Sequence, residues 1–541
     1  MKPDRWAYWL ERTGLRAAEP EKCDRILEGI RSGVNIDFIG DRTTPRFGKN
    51  LRLLHPSHEA KITAVIQADV AAGKKAGPYD APPCEYFVVS PIGAVPKKGG
   101  EKIRVIHHLS FPFDGDSVNA DIVEEYLQLS RFHDAADAIR ALGPGCWLIK
   151  LDVEAAYKQV PVRREDWHLL GFMWQGKYYY ERVLPFGLKS SCRLWDLFAE
   201  ALHHFLKHEF GIDVVLHYID DFLFVCRKRD RADAALASAN GLCADIGIPW
   251  SPAKTEGPTH CLTYLGIELD TIHMRARLPE PKLRELQALA EGWVEKSHAT
   301  ALELQSLVGS LAFACQVVRP GRYYLSRIIG AMAQALRDNR SRTHHTSRLS
   351  NGVREDVRWW ARFIREWNGV SLLYDAQWTT SAKLTLFTDA CLTGYGALFG
   401  VSWFAGHWTS AQRACAMRAD RESMPFFELF ALVAAAATWG QVWKLKKVVF
   451  RCDCLPVVQA IEAKSSPKPA MMHLLRQLSD LACKYAFDFR CEHIPGKQNV
   501  AADILSRDGD CPQFRALCPY ARPLPSVVPP LPLPMPDGLW C

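Results

Sequence analysis

Hydrophobic positions change their period along the chain, and each change predicts a new kind of element. Residues 1 to about 80 read as helices with loops: EKCDRILEGI carries apolar positions at helical spacing, and HEAKITAVIQADVAAGKKAG is a longer amphipathic segment closed by glycine. From Tyr86 the pattern shortens, and EYFVVSPIGAVPKKGGEKIRVIHHLS predicts two strands joined by a basic, glycine-containing turn. A helix over 131–141 leads into a strand, GPGCWLIKLDV. A helix is then predicted from about 190 to 210, with Leu194, Phe198, Ala201, Leu202 and Phe205 on one stripe. DVVLHYIDDFLFVC follows as two apolar half-strands around a pair of acids, and CLTYLGIELD as a hairpin-like segment. Long helices run to about 367, polar residues at 375–381 mark a boundary, and a second strand-rich unit spans 383–507. Beyond it the prolines at 523, 525, 529, 530, 532, 534 and 536 predict an extended polyproline-type tail.

Composition narrows the class. With 541 residues, 48% hydrophobic and 23% charged, the chain has room for three or four folded domains and is not a disordered protein. A net charge of +7 suits a polyanionic partner without selecting one. The 17 cysteines include no Cys-x-x-Cys pair, which argues against a zinc finger. Cys452 and Cys454 fall on one face of a strand and are expected to pack. The opening MKPDRWAYWLERTG is too charged for a signal peptide, and the longest apolar run, 429–437, is too short to cross a bilayer. An intracellular protein of the cytoplasm or nucleus, with no membrane partner, is expected.

Chemistry enters with HYIDDFLFV. Two short β-rich runs around Asp220 and Asp221 predict a hairpin whose tip carries both carboxylates, since Asp tolerates turn backbone angles. Upstream, Ile149-Lys150-Leu151-Asp152 is a strand with an acid near its end. Side by side in one sheet, these segments would gather three carboxylates, a set suited to a pair of Mg²⁺ ions that activate an attacking hydroxyl and stabilise the leaving oxygen of a phosphoryl displacement. Taken alone, the two aspartates read equally well as a solvated turn, with Asp152 capping the next helix.

The neighbouring segments decide between these readings. LDVEAAYKQVPV, LPFGLKSSCRLWDLF, YIDDFLFV and YLGIELD occur in this order between about 90 and 270, and together they resemble the palm motifs of reverse transcriptases. The resemblance implies that Asp152 and Asp220 ligate two metals, Mg²⁺ or Mn²⁺ as a substitute. It implies that Asp221 completes the triad and that Val153 lends a backbone carbonyl. Tyr157 falls where the family places an aromatic ring that leaves no room for a ribose 2′-hydroxyl; its alternative is an ordinary core aromatic. Lys97, Lys98 and Arg104 resemble the basic residues that clamp the incoming triphosphate, and Gly187 in LPFG would let the backbone approach template or nucleotide. Many relatives carry an acid and an arginine where this chain has His107-His108-Leu109-Ser110; these histidines are expected to pack.

A second set of acids follows with different spacing. KLTLFTDA is an alternating strand ending at Asp389, and GYGALFG is the next strand. SMPFFELFALVAAAATWG is a buried-type helix bearing Glu428, KVVFRCDC is a strand with Asp453 near its end, and NVAADILSR is a final helix presenting Asp503. Isolated acids in apolar settings are costly unless something compensates, although each one alone reads as a solvated edge. Strand-Asp, helix-Glu, strand-Asp, helix-Asp resembles the RNase H fold from about 383 to 507, which implies two-metal hydrolysis of the RNA strand of a hybrid. His493 falls where a histidine assists product release in some relatives, or is a strand-end histidine.

The implied fold is therefore α+β and multidomain: a right-hand polymerase of fingers, palm and thumb with a connection region, then an α/β RNase H-like domain. The expected boundaries are a helical N-terminal extension at 1–80, fingers and palm at 81–275, thumb and connection at 276–380, the RNase H-like domain at 381–508, and the proline-rich tail at 509–541. Lys282, Arg284, Arg319, Arg322 and Arg327 are expected to follow duplex phosphates. The implied activity copies retroelement RNA into DNA, with RNA template, DNA primer, RNA–DNA hybrid and deoxynucleoside triphosphates as partners. The alternative is an idle nucleic-acid-binding relic. IHHLSFP, ELQSLVGSLAFACQVVRPGR, WNGVSL and HIPGKQNVAADILSR most resemble DIRS-like retrotransposons, with gypsy-like long-terminal-repeat elements second. Such elements imply a tyrosine recombinase; none follows Arg507 here, so it is a separate product or has been lost.

Overall fold

The computed structural model describes residues 1–50, 57–96, 103–112, 115–124, 126–338, 346–367, 371–372, 378, 385–410, 413 and 424–524. Lys97 and Lys98, the 375–381 boundary apart from residue 378, and the prolines from 525 onward lie outside the described residues. The chain divides into two compact units, Met1–Tyr264 and Leu265–Cys541.

The first unit is organised by a four-stranded antiparallel sheet in the order Glu256–Thr259, Trp147–Asp152, Asp221–Cys226, Val214–Tyr218. Its strands are apolar because Ile149, Leu151, Phe222 and Phe224 are fully buried. The helix Ser191–Phe210 packs on this sheet through the stripe read from the sequence, with Leu194, Phe198, Ala201, Leu202 and Phe205 all buried. Each of the Leu and Phe side chains contributes roughly 1.5–3 kcal/mol. A second sheet has five strands in the order Arg46–Phe47, Val88–Val89, Gly171–Trp174, Lys177–Glu181, Lys75–Tyr79. The predicted basic-turn segment forms an antiparallel pair, Ile92–Pro96 with Ile103–His107.

The N-terminal segment, residues 1–80, packs into the first unit. Trp6 of the helix Pro3–Arg12 is fully buried, its ring 5.7 Å from both Phe198 and Phe205, and its indole N–H donates to the Ile246 carbonyl at 3.2 Å. Lys75–Tyr79 is an edge strand of the five-stranded sheet. These N-terminal apolar positions complete the core of the first unit, which local periodicity cannot reveal.

In the second unit, helices Glu280–Trp293, Ala301–Ala314, Ser326–Asp338 and Asn351–Glu366 precede a six-stranded sheet. Its order is Asp488–His493, Lys447–Cys452, Thr385–Ala390, Gly394–Phe399, Ser402–His407, Arg522–Pro523. The three consecutive strands from 385 to 407 are antiparallel, and the outer pairings are parallel. Helix Met424–Trp439 covers the face bearing Tyr395 and Phe404, with Tyr395 against Phe430 and Phe404 against Trp439. Helix Val500–Asp508 covers the opposite face over Gly394 and Gly396, where a Cβ on Gly396 would stand 2.4 Å from Leu505 Cβ. Among the described residues no helix is long and apolar enough to cross a membrane.

Two expectations need correction here. The segment after 508 does not begin as a proline linker: helix Pro512–Leu517 buries Phe514 against Trp403, and Arg522–Pro523 extends the sheet beside Ser402 and Trp403. The apolar Phe514 outweighs the surrounding prolines. Among the thumb cations, Arg327 binds the fully buried Asp356, and Arg319 lies 2.8 Å from Asp488. Arg327 is tied to that buried carboxylate, while Arg319 stays partly exposed beside Asp488.

Candidate active sites

The first acid cluster follows from strand register. Asp152, the last residue of its strand, pairs across the ladder with Asp221, the first residue of the returning strand. Asp221 in turn faces Tyr218, which leaves Ile219 and Asp220 as the two-residue turn. The turn angle falls on Ile219, at φ 58, rather than on an aspartate as the sequence reading supposed. A β-branched residue is strained there, and the Trp195 indole holds it by donating to the Ile219 carbonyl at 2.8 Å. The Val153 N–H donates to the Asp220 carbonyl at 2.9 Å, which joins the end of the first strand to the turn.

Three carboxylates in one place perturb one another. Asp221 is pushed up to about 6 by burial and by Asp220 and Asp152. Asp220 is raised by burial and by Asp152, while Lys254 and Arg104 pull it down. Lys254 Nζ lies 2.6 Å from Asp152 Oδ2. The sequence reading missed this lysine, because PAKTEG has no periodic or motif signal that points back to Asp152.

Tyr157 stands on a single 3₁₀ turn, Ala156–Gln159, next to the acids. Its ring lies 5.3 Å from Phe186, and the Arg104 guanidinium sits 5.0 Å over the other partner of that contact, the Phe186 ring. Burial, a hydrogen bond to Cys192 and the charge of Asp220 keep the phenol protonated. Phe186, not singled out from the sequence, thus connects Tyr157 to Arg104. Gly187, at φ 111, packs against the protein's own backbone: a Cβ there would be 2.0 Å from the His107 carbonyl oxygen. Asn119 secures this loop by donating to the Gly187 carbonyl at 2.8 Å and accepting from the Lys189 N–H at 2.8 Å. His107 is buried, pushed down to about 3 by desolvation, with Nε2 3.1 Å from the Gly171 carbonyl.

The second cluster forms where the strand ends of the six-stranded sheet meet two helices. Asp389 pairs in register with Gly396, and the bare glycine lets helix Val500–Asp508 settle there. Consequently the Ser506 hydroxyl donates to Asp389 Oδ2 at 2.5 Å, and Asn499 donates to the Thr388 carbonyl at 2.9 Å. Neither was read from the sequence, although Ser506 lies three residues beyond Asp503 on the same helical face. Asp389 is pushed up to about 6 by burial, with Asp453 and Asp503 adding repulsion. Glu428 is raised further, by burial and then by Asp389 and Asp453, and its Oε2 is buried without a hydrogen-bond partner. Ligand atoms of Glu428, Cys452 and Asp453 lie within 4.8 Å of one another. Asp503 is the most open acid and accepts from Arg507 at 2.8 Å. His493 is exposed at its strand end, its Nε2 3.2 Å from the Asp453 carbonyl. Cys452 faces the acids, and the Cys454 N–H points to its sulfur at 3.4 Å.

Both clusters suit a hard divalent cation. In each, several carboxylates share a partly or fully buried space, and in the second an orphaned Glu428 oxygen has no protein partner to neutralise it.

Residues 95–269 match the family model described as "Reverse transcriptase (RNA-dependent DNA polymerase)", and residues 426–509 match one described as "Reverse transcriptase-like". The chain thus carries a reverse transcriptase domain followed by an RNase H-like domain, on a mixed α/β polymerase fold; families of both kinds generally use divalent metals. Its homologues are retroviral and pararetroviral polyproteins. Polyprotein P3 of Commelina yellow mottle virus is 25% identical over 364 residues, covering 66% of this chain and 18% of that protein. The Gag-Pol polyprotein of Rous sarcoma virus subgroup C (strain Prague) is 24% identical over 257 residues, covering 46% of this chain and 14% of that protein. The chain therefore spans less than a fifth of the length of these curated relatives. Among solved structures, a foamy viral protease–reverse transcriptase in complex with RNA/DNA hybrid aligns with a TM-score of 0.48 at 14% identity, over 84% of this chain and 56% of that one. The foamy viral protease–reverse transcriptase dRH in complex with ds DNA gives 0.49 at 14% identity, over 84% and 72%.

Proposed function

We propose that this chain is an RNA-directed DNA polymerase with RNase H activity, copying retroelement RNA into DNA and then degrading the RNA of the hybrid. The observation that carries this reading is the register of Asp152 opposite Asp221, with Asp220 in the adjoining turn. Functionally, 81–275 acts as fingers and palm, 276–380 as thumb and connection, and 381–508 as the ribonuclease.

In the polymerase site, Asp152, Asp220, Asp221 and the Val153 carbonyl hold Mg²⁺, with Mn²⁺ as a substitute; in the ribonuclease site Asp389, Glu428, Asp453 and Asp503 do so. Two such ions per site, when bound, supply Lewis-acid stabilisation to the phosphate oxygens of an in-line displacement. The protein's own residues do the rest. Asp152, paired with Lys254 in this structure, would give up that lysine to hold an ion. Arg104, with Lys97 and Lys98, would bind the incoming triphosphate, while Tyr157, backed by Phe186, closes the space a ribose 2′-hydroxyl would need. Gly187 lets the loop before helix Ser191–Phe210 lie close to the fingers. In the ribonuclease site Ser506 orients Asp389, and a water replaces the primer 3′-hydroxyl as nucleophile.

The partners follow: RNA template, DNA primer, RNA–DNA hybrid and deoxynucleoside triphosphates. The motif string most resembles that of DIRS-like retrotransposons, with gypsy-like elements second, and a tyrosine recombinase of the same element would be the companion. Primer extension on poly(rA)–oligo(dT) with Mg²⁺ tests the reading. The wild-type protein extends the primer and Asp152→Asn does not; a folded wild-type protein without extension overturns the proposal in favour of an idle relic.

A further inference from the structure

The turn that carries Tyr157 is poorly supported by its own backbone. It is one 3₁₀ turn of four residues, entered through Ala155 at φ 48, a left-handed conformation unfavourable for a residue with a Cβ. Within it the Lys158 N–H donates to the Ala155 carbonyl at 2.8 Å and the Val160 N–H to the Tyr157 carbonyl at 3.2 Å. On one side the Tyr157 ring rests on Phe186. On the other, the next side chain in sequence, Lys158, reaches Asp69, with Nζ 2.6 Å from both carboxylate oxygens.

Asp69 belongs to the last turn of helix Ser57–Ala71, and its backbone carbonyl accepts from the Lys74 N–H at 2.8 Å. Its carboxylate is shared with Lys75, whose Nζ lies 3.3 Å from Oδ2. Lys75 in turn pairs with Glu181, its register partner on the neighbouring strand. Lys158, Asp69, Lys75 and Glu181 thus form a chain of alternating charge running from the five-stranded sheet to the Tyr157 turn. Asp69, Lys75 and Glu181 are only 8%, 6% and 5% exposed. Charges this deep are tolerated when each is paired, and a paired network of this kind fixes geometry more than it adds stability. Among the described residues, no hydrogen bond or ion pair joins this network to the acids or to Arg104.

We propose that the Lys158–Asp69 ion pair is a positioning clamp that holds Tyr157 at the distance needed to reject a ribose, so that sugar selectivity is set partly from the buried network of the five-stranded sheet. The clamp rests on the reading of Tyr157 as the sugar gate. It does not contact the nucleotide and acts only through the turn. A ring displaced by a fraction of an ångström still packs on Phe186 but opens room beside the sugar. Loss of the clamp therefore changes discrimination more than it changes deoxynucleotide incorporation.

The test measures kcat/KM for a deoxynucleotide and for the matching ribonucleotide in primer extension by the full chain. Lys158→Met keeps the aliphatic stem and leaves Asp69 paired with Lys75, so it is the primary variant. It relaxes the deoxy-to-ribo ratio about tenfold, with kcat for the deoxynucleotide within about twofold of wild type. Lys158→Arg restores the ratio, because a guanidinium spans both Asp69 oxygens. Tyr157→Ala relaxes the ratio at least as far, and Lys158→Met adds nothing to it in the double variant, since both act through the same ring. Asp69→Asn gives a second measure of the same pair. An unchanged ratio in Lys158→Met, or additive effects in the double variant, overturns the clamp while leaving the gate intact. An unchanged ratio in Tyr157→Ala overturns the gate and the clamp together.

Discussion

The two acid clusters are assembled by different means. In the first unit, three aspartates are brought together by strand register and a strained two-residue turn, with Asp152 buried and Asp220 and Asp221 half-buried, and Lys254 supplies a countercharge. In the second unit, Asp389 and Glu428 are only 4% and 5% exposed, and the base present, Arg507, is spent on the outlying Asp503. The first site is a hairpin edge whose two turn residues are half-buried. The second is a crevice between sheet and helices, where repulsion among the acids is held in place by packing. Burial and neighbouring acids push an aspartate up to about 6 in each cluster, Asp221 in the first and Asp389 in the second, and a cation would relieve that repulsion in both.

Substitutions in the second cluster break this comparison most severely. Asp389→Asn lowers hybrid cleavage by about a thousandfold or more, as loss of a charged ligand in a two-metal site does, and leaves primer extension unchanged in a gel-based assay of both. Gly396→Ala tests the packing that assembles the site. A Cβ there meets Leu505 at 2.4 Å, so the final helix, with Asp503 and Ser506, must move. Overpacking of this kind costs about 1–3 kcal/mol, and cleavage falls sharply in a protein whose extension activity persists.

In the first cluster, Tyr157→Ala relaxes discrimination against ribonucleotides by about ten- to a hundredfold, read from single-nucleotide incorporation. The smallest effect sharpens the electrostatic contrast. In EDTA, Glu428→Gln replaces a buried carboxyl whose charged form is disfavoured by burial and by Asp389 and Asp453, and raises the thermal midpoint by about 2–4 °C per kcal/mol gained. Asp152→Asn removes a buried carboxylate together with its ion pair to the exposed Lys254 ammonium, two opposing effects, and leaves the midpoint level or slightly lower. A shift of the same sign in both variants would show that the two sites bear their charge alike.

Much of this was legible in the sequence because the acids sit where periodicity is clean. IKLD, YIDD and LTLFTDA are alternating strands that end at carboxylates, and the ordered motifs fixed which strands belong together. The stripe from Leu194 to Phe205 likewise declared its buried face. What stayed hidden depends on contacts distant in sequence. Trp6 belongs to the same core as Phe205, Lys254 reaches back to Asp152, and Phe514 closes the edge near Trp403 despite a proline-rich surrounding. Turn chemistry misled in one place: the left-handed residue of the hairpin is Ile219, and only its tether to Trp195 explains how a β-branched side chain is kept there.

The central claim is that two independent acid clusters serve two activities on one chain. Asp221→Asn tests it most directly, with primer extension and hybrid cleavage measured on the same folded preparation. The account predicts that extension is abolished while cleavage stays within about twofold of wild type. Loss of both activities together would contradict it.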